Sequence, residues 1–257
     1  MDLATIIGFI LALVGIILGL VLEGGSVMEL TQPTAFMIVM GGTIGATMIS
    51  FPMGLFLEAL KGLKDVIMPS SLDPDKIIED LVQYSTKARK EGIISLEADV
   101  KQIKDPFLKK ALMMAVDGAD PKELRHTLES QLERIEEHGL TIPKVWESAG
   151  GYAPTIGIIG AVMGLIQVMK HLENIEEVGH GIAVAFVATI YGVGFANIGF
   201  IPFAGKMTLL HKKNMVIKEM ILDGVLLVIE GVNPMIMRDK LSGFFVEKMH
   251  KPAEEKK

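Results

Sequence analysis

The sequence predicts an all-α, polytopic membrane protein with four transmembrane helices and a helical cytoplasmic domain, and three observations predict it. The first is segregation. Apolar residues are 50% of the 257 and charged residues 22%, close to the roughly 45–50% and about 25% of an ordinary soluble chain. Yet no charged residue occurs in Leu3–Leu22, Thr34–Leu57, Ser148–Met169 or Gly181–Gly205. Each run meets the roughly 20 residues that cross about 30 Å of hydrocarbon. The second observation is where the basic residues fall: 14 lie between Glu58 and Glu147, 10 from Lys206 onward, and one more is Lys170. Basic residues favour the cytoplasm, so both termini and the long middle segment are expected inside, with two short turns outside. The third is that no stretch alternates in the way of a strand.

The elements follow in order. Residues 1–23 form span one. Asp2 is the only charge before it and no small-residue cleavage site follows, which marks a retained span rather than a signal peptide. Residues 34–57 form span two. Residues 58–147 form the cytoplasmic helical domain. There Asp73-Pro74 starts a helix carrying Ile77, Ile78, Leu81, Val82 and Tyr84 at helical spacing. Gly92 is expected to break it, and Ser95, with Glu97 and Asp99 behind it, to start a second helix. Asp120-Pro121 starts a third, with Leu124, Leu128, Leu132 and Ile135 on one face and Glu129, Glu133, Arg134, Glu136 and Glu137 exposed. Residues 148–170 and 181–205 form spans three and four. Residues 206–257 form cytoplasmic C-terminal helices and a tail. Met207–Ile229 reads as an extension of span four that Asn233-Pro234 stops. A last helix is expected to about His250, with a disordered end from Lys251.

Composition excludes several function classes. With no cysteine, the chain is not built on disulfides. No stretch is dominated by Lys and Arg, so no nucleic-acid partner is expected. Six histidines form no ligand-spaced pair, and no P-loop or nucleophile motif occurs, so neither an enzyme nor a bound cofactor is expected. None of the four runs has an ionisable residue in its middle. Such residues mark ion and proton relays, so a conducting role requires a partner to bring the titrating group. The same absence, with no inverted repeat between the two hairpins, weighs against a self-sufficient channel or transporter.

Small residues recur at packing intervals: Gly15 and Gly19, Gly41 and Gly45, Gly160 and Gly164, with Gly157, Gly192, Gly194 and Gly199 besides. Such spacing lets backbones approach. It serves either packing within the chain or a smooth wall in spans three and four against a partner helix or another subunit. Pro154 and Pro202 each remove a backbone hydrogen bond and are expected to kink their helices. Thr189, Tyr191 and Asn197 supply the polar groups of span four. Taken alone, Thr189 reads as bonded back to its own helix.

Three stretches carry a resemblance: Tyr152-Ala153-Pro154-Thr155-Ile156-Gly157-Ile158-Ile159-Gly160 in span three; Val187-Ala188-Thr189-Ile190-Tyr191-Gly192 with Phe200-Ile201-Pro202 in span four; and Lys87-Ala88-Arg89-Lys90-Glu91-Gly92-Ile93-Ile94-Ser95-Leu96-Glu97 in the middle segment. In order and spacing the chain resembles the flagellar-motor stator A subunits of the MotA/PomA family, to about residue 250. The resemblance implies a multi-pass protein of the bacterial inner membrane. It implies a homo-oligomeric ring, five copies in the family, around a MotB-like B subunit whose Asp binds the ion, and a rotor partner, FliG. It assigns Pro154 and Pro202 to coupling ion flow to torque, Thr189 to the ion path, and Arg89 and Glu97 to rotor contact, with Lys90 extending the basic spot. Without the family, Arg89, Lys90 and Glu97 read as a solvated cluster at a helix end.

Sodium-driven relatives carry a threonine seven residues after the span-three proline. That position is Ala161 here, and a methyl group offers a hard cation no oxygen. Protons are therefore expected as the transported ion, with sodium the alternative. A second alternative is a transducer subunit resembling ExbB or TolQ, but those relatives have three spans. Membrane lipid is the remaining expected partner.

Overall fold

The structure, a computed structural model, describes residues 2–68 and 72–245, and among them it is helical with no strand. Among the described residues, four helical stretches are long and apolar enough to cross a membrane: Leu3–Leu22, Pro33–Ser50, Pro121–Lys170 and Ile175–Ile229. The chain divides into two compact units, Met1–Ser70 with His138–Leu210, and Ser71–Glu137 with His211–Lys257.

The first unit opens with α1 (Leu3–Leu22), whose Ala4 amide donates to the Asp2 carboxylate. Asp2 also pairs with Lys206, and its N–H donates to the Ile67 carbonyl at 3.2 Å. No α1 side chain is buried. After a short 3-10 turn at Val27–Leu30, α2 runs Pro33–Ser50. The charge-free run expected to end span two at Leu57 does not form one helix. It breaks at Phe51-Pro52, and α3 occupies Met53–Ile67. Pro52 explains the break: it lacks an N–H and disfavours helical backbone at Phe51, which is extended (φ −133°, ψ 145°). Ala59, Val66, Val145, Trp146, Ala149, Ala204 and Met207 form a small core here, with Trp146 Nε1 donating to the Ala59 carbonyl at 3.0 Å.

In the second unit, α4 (Pro74–Glu91) starts where Asp73 caps the Asp75 amide. Gly92 ends it at φ +84°, a conformation that glycine adopts without a Cβ penalty. The next helix does not start on Ser95. A 3-10 turn over Ile93–Leu96 intervenes, the Ser95 hydroxyl donates back to the Gly92 carbonyl, and α5 spans Glu97–Gln102. α6 (Pro106–Val116) follows, started by Asp105-Pro106 with the Asp105 carboxylate on the Leu108 amide. Its Asp-Pro start is the same signal that begins α4 and the helix from Pro121.

α7 runs Pro121–Lys170 without a break, through Pro143 and Pro154. At 1.5 Å per residue its 50 residues span about 75 Å, well beyond a hydrocarbon core of about 30 Å. The expected boundary at 147/148 thus falls inside a continuous helix, and α7 contributes to both units. α8 (Ile175–Gly194), capped by Asn174, leads through a π-helical turn at Phe195–Phe200 into α9 (Ile201–Ile229). α9 is ended by Gly231 (φ +66°), not by Asn233-Pro234. The Gly231 and Val232 amides close on the Val228 and Leu227 carbonyls, the glycine-dependent C-cap. Asn233 instead caps α10 (Pro234–Ser242). The expected continuation to His250 and the tail from Lys251 lie outside the described residues. The core of this unit is large and aliphatic, with Leu81, Leu96, Leu112, Leu124, Leu128, Met220, Ile221, Met237 and Leu241 all fully buried.

Candidate functional site

Four of the candidate residues belong to a seam where α7 packs against α8 and the start of α9, or adjoin it. Backbone proximity defines the seam. A Cβ added to Gly192 would sit 2.5 Å from the Ala153 carbonyl oxygen and 3.2 Å from Cα of Pro154. One added to Gly157 would sit 2.8 Å from the Ala188 oxygen, and one on Gly164 2.7 Å from the Gly181 oxygen. Real Cβ atoms do not approach backbone oxygen so closely, so only glycine fits at these positions. The bare backbones let the two helices touch, as small residues do within membranes.

Pro154 lies directly on this seam, half-buried against Gly192. Ala161 and Thr189, both half-buried, follow immediately after Gly160 and Ala188. A Cβ on Gly160 would meet the Ala188 methyl at 2.8 Å, so Ala161 and Thr189 sit at one level of the seam. The Thr189 hydroxyl donates to the Ala185 carbonyl at 3.2 Å. It therefore bonds back to its own helix, as its type alone suggested, and its oxygen keeps lone pairs to offer.

Pro202 is exposed at the foot of the seam, next to Ile201, whose side chain a Gly150 Cβ would meet at 2.5 Å. Lacking an N–H, it cannot satisfy the Ile198 carbonyl. The helix adapts just before it: the Ile201 N–H reaches back five residues to the Ala196 carbonyl. π-helical turns of this kind are rare and concentrate at functional sites. The Asn197 amide sits exposed on this turn and donates to the Val193 carbonyl at 2.9 Å. Sequence spacing gave no hint of it, because an i−5 bond leaves no residue signature beyond a nearby proline.

The remaining glycines are different. Gly15, Gly19, Gly41, Gly45 and Gly194 have nothing within 4 Å of an added Cβ. Of the two readings of the glycine pattern, packing within the chain holds for Gly157, Gly160, Gly164, Gly181 and Gly192. Above the seam, the Tyr191 hydroxyl donates to the Leu30 carbonyl and accepts from the Gln32 amide at 3.4 Å. It holds the turn before α2 against α8.

Arg89, Lys90 and Glu97 lie in the second unit. Arg89 and Lys90 are exposed in the last turn of α4, and no ion pair forms on either among the described residues. Glu97 opens α5 and is paired with Lys101 at 2.8 Å, which holds its carboxyl below the usual carboxylate range. Lys87 reaches Asp99 at 2.7 Å, and that hydrogen bond raises the Lys87 ammonium above its ordinary value. The pair joins α4 to α5 and fixes the turn that carries the three candidate charges. Among the described residues no cluster of three or more His, Asp or Glu is arranged to hold a metal.

Fold and seam define a class: a polytopic, all-helical membrane subunit with a glycine-packed hairpin, and no ionisable group among the residues that meet along it. Residues 99–220 match the MotA/TolQ/ExbB proton channel family, and residues 6–92 match the motility protein A N-terminal family. Motility protein A of Bacillus subtilis is 36% identical over 243 residues, 94% of this chain and 90% of that protein. The chemotaxis protein PomA of Vibrio alginolyticus is 31% identical over 247 residues, 96% of this chain and 95% of that one. Among solved structures, a chain of the C. jejuni MotAB structure superposes with a TM-score of 0.91 at 33% identity, covering 98% of both chains. A chain of the flagellar MotAB stator complex from Bacillus subtilis gives 0.84 at 36%, covering 96% of this chain and 95% of that one. The chain belongs to the motility protein A family.

Proposed function

We propose that this chain is the A subunit of a flagellar-motor stator: with a B subunit it forms a membrane ion channel that converts proton flow into torque on the rotor. One observation carries the reading. The chain matches stator subunits of the MotAB complexes along nearly its whole length, and its four spans lack any mid-membrane ionisable side chain. Ion transfer through hydrocarbon needs such a group, so a B-subunit carboxylate completes the path. Several copies of the A subunit, five on the family pattern, surround the B-subunit spans in the bacterial inner membrane. The distribution of basic residues puts both termini inside.

In this reading Pro154 and Pro202 sit where the seam shifts as the ion binds and leaves, and Thr189 and Ala161 border the path. The methyl group of Ala161 favours protons over sodium. Arg89, Lys90 and Glu97 meet charges on the rotor protein FliG. Exposed ion pairs are weak, which suits a contact that engages and releases at each step. The role needs no catalytic chemistry. Four membrane-length helices, rather than three, favour the stator over an ExbB-like transducer.

The test is rotation of single motors in a strain lacking its own stators, supplied with this chain and its B subunit. Rotation in sodium-free buffer that stops on adding a protonophore is the expected result. Rotation that needs sodium would overturn the ion assignment alone. An assembled complex that never turns a compatible rotor would overturn the stator reading.

A further inference from the structure

Beside Arg89 the second unit contains a feature that an exchange of surface charges does not use. Three helices end at one place: α4 at Gly92 (φ +84°), α6 at Gly118 (φ +79°) and α9 at Gly231 (φ +66°). Each glycine turns the chain sharply away, so the helix ends stand apart and leave a cleft of about 340 Å³. Arg89 lines it from the end of α4 and Ile93 from the turn after it, Ala115 from α6 and Ala119 from the segment after it, and Val228 and Ile229 from α9. Arg89 is the one charged lining residue among those described. Ile94 stands next to the cleft at 71% exposure, so the turn that carries the candidate rotor charges is itself apolar at its tip.

Surface pockets of this kind, apolar with one placed charge, fit an anchoring side chain. Their complement is an aliphatic side chain with a carboxylate close by. The aliphatic group fills the space among Ile93, Val228 and Ile229, and the carboxylate meets the guanidinium of Arg89, which forms no ion pair among the described residues. Glu97 and Asp99 are already held by Lys101 and Lys87 and do not compete for Arg89.

We propose that this cleft is an anchoring pocket for an aliphatic residue flanked by an acidic one on a helix of the rotor partner. The proposal rests on the stator reading above. The charges steer and orient the encounter, and the pocket holds the partner for the length of a torque step. A contact that kept only its charges would lose most of its grip as salt rises; burial of an aliphatic group makes part of it resistant to salt.

The test exploits the absence of cysteine. Ala119→Cys, half-buried on the cleft wall outside any helix, places one thiol in the chain. It is assembled with a cysteine-free B subunit and allowed to drive motors before reagent is added, so folding and assembly precede the perturbation. A small and a bulky N-alkylmaleimide are then applied, with the cysteine-free chain treated in parallel. Torque is read from bead rotation and ion flow from cytoplasmic acidification. The expected result is a several-fold loss of torque with the bulky adduct, a smaller loss with the small one, and unchanged ion flow. Ala119→Ser, which leaves the cleft open, drives normal rotation. Full torque with the bulky adduct, in a background where Arg89→Glu stalls the motor, would overturn the pocket and leave the rotor contact standing. Full torque with the adduct and with Arg89→Glu alike would overturn both.

Discussion

The two compact units are built on opposite packing rules. In the second, large side chains point inward: among the described residues, all of the largest fully buried side chains except Val39 and Val66 belong to it. In the first, large side chains point outward. α1 buries nothing, Ile49 is 89% exposed and Phe186 69%, and the contacts that matter are backbone against backbone at glycine. The difference follows from the solvent each meets. Water drives aliphatic groups together, so a leucine core holds the second unit. Hydrocarbon is as apolar as leucine, so helices in it associate through close approach and hydrogen bonds instead. One chain thus uses leucine as its main packing residue in one unit and glycine in the other.

The comparison breaks most sharply at Gly192. Gly192→Val would force side-chain atoms into the Ala153 carbonyl and the Cα of Gly157, and neither backbone can move without opening the seam. Loss of the assembled complex from membranes is expected, read by blue-native electrophoresis. Normal assembly would show that the seam can spread. Next is Leu128→Ala in the second unit, where a fully buried leucine predicts about 2–5 kcal/mol of destabilisation. Hydrogen exchange should show that loss in α6 and the first part of α7, with the Trp146 environment unchanged. Trp146→Phe tests a place where the first unit buries a large polar-tipped side chain. It removes the indole hydrogen bond, while the Ala59 carbonyl sits mid-helix in α3, at a cost of about 0.5–1.5 kcal/mol, measurable as a lower unfolding temperature in detergent.

Two smaller effects sharpen the contrast. Gly45→Ala, spaced from Gly41 just as Gly164 is from Gly160 but open on its free side, should change the stability of the isolated subunit by less than about 0.5 kcal/mol. Any larger loss that appears only in the assembled complex would place a neighbour against that face. The Lys87–Asp99 pair adds a pH dependence. Because the folded Lys87 pKa is raised above its ordinary 10.5, its contribution is fully present below that value and is lost as pH rises through the folded pKa. Lys87→Met should remove that alkaline component of unfolding and leave stability at acid pH without the pair's contribution. An unchanged alkaline profile would mean the pair does not bear on the fold.

Much of this was legible locally. Charge-free runs located four spans because the cost of a charge in hydrocarbon leaves a mark in any one sequence. Asp73-Pro74 and Asp120-Pro121 located helix starts because a cap and its proline are neighbours in the chain. Asp105-Pro106 carries the same signal for α6, and the break at Pro52 is masked by the apolar residues on both sides of it. Arg89, Lys90 and Glu97 were recognisable as charges near Gly92, but the Lys87–Asp99 link was not, since twelve residues separate its members and helical spacing rules reach only four.

The glycines show where sequence stops. Gly41 and Gly45 carry the same spacing as Gly160 and Gly164, and nothing in the residues tells one pair from the other. Their spacing states that a close approach is permitted. Which pair is used depends on whether another helix, distant in sequence, lies against that face. Span number, caps and the missing intramembrane carboxylate are properties of neighbouring residues and of solvation, and these can be read along the chain. The α7–α8 seam, the π-helical turn before Pro202 and the cleft among three helix ends arise from contacts between segments far apart in sequence, so they exist only once the chain has folded.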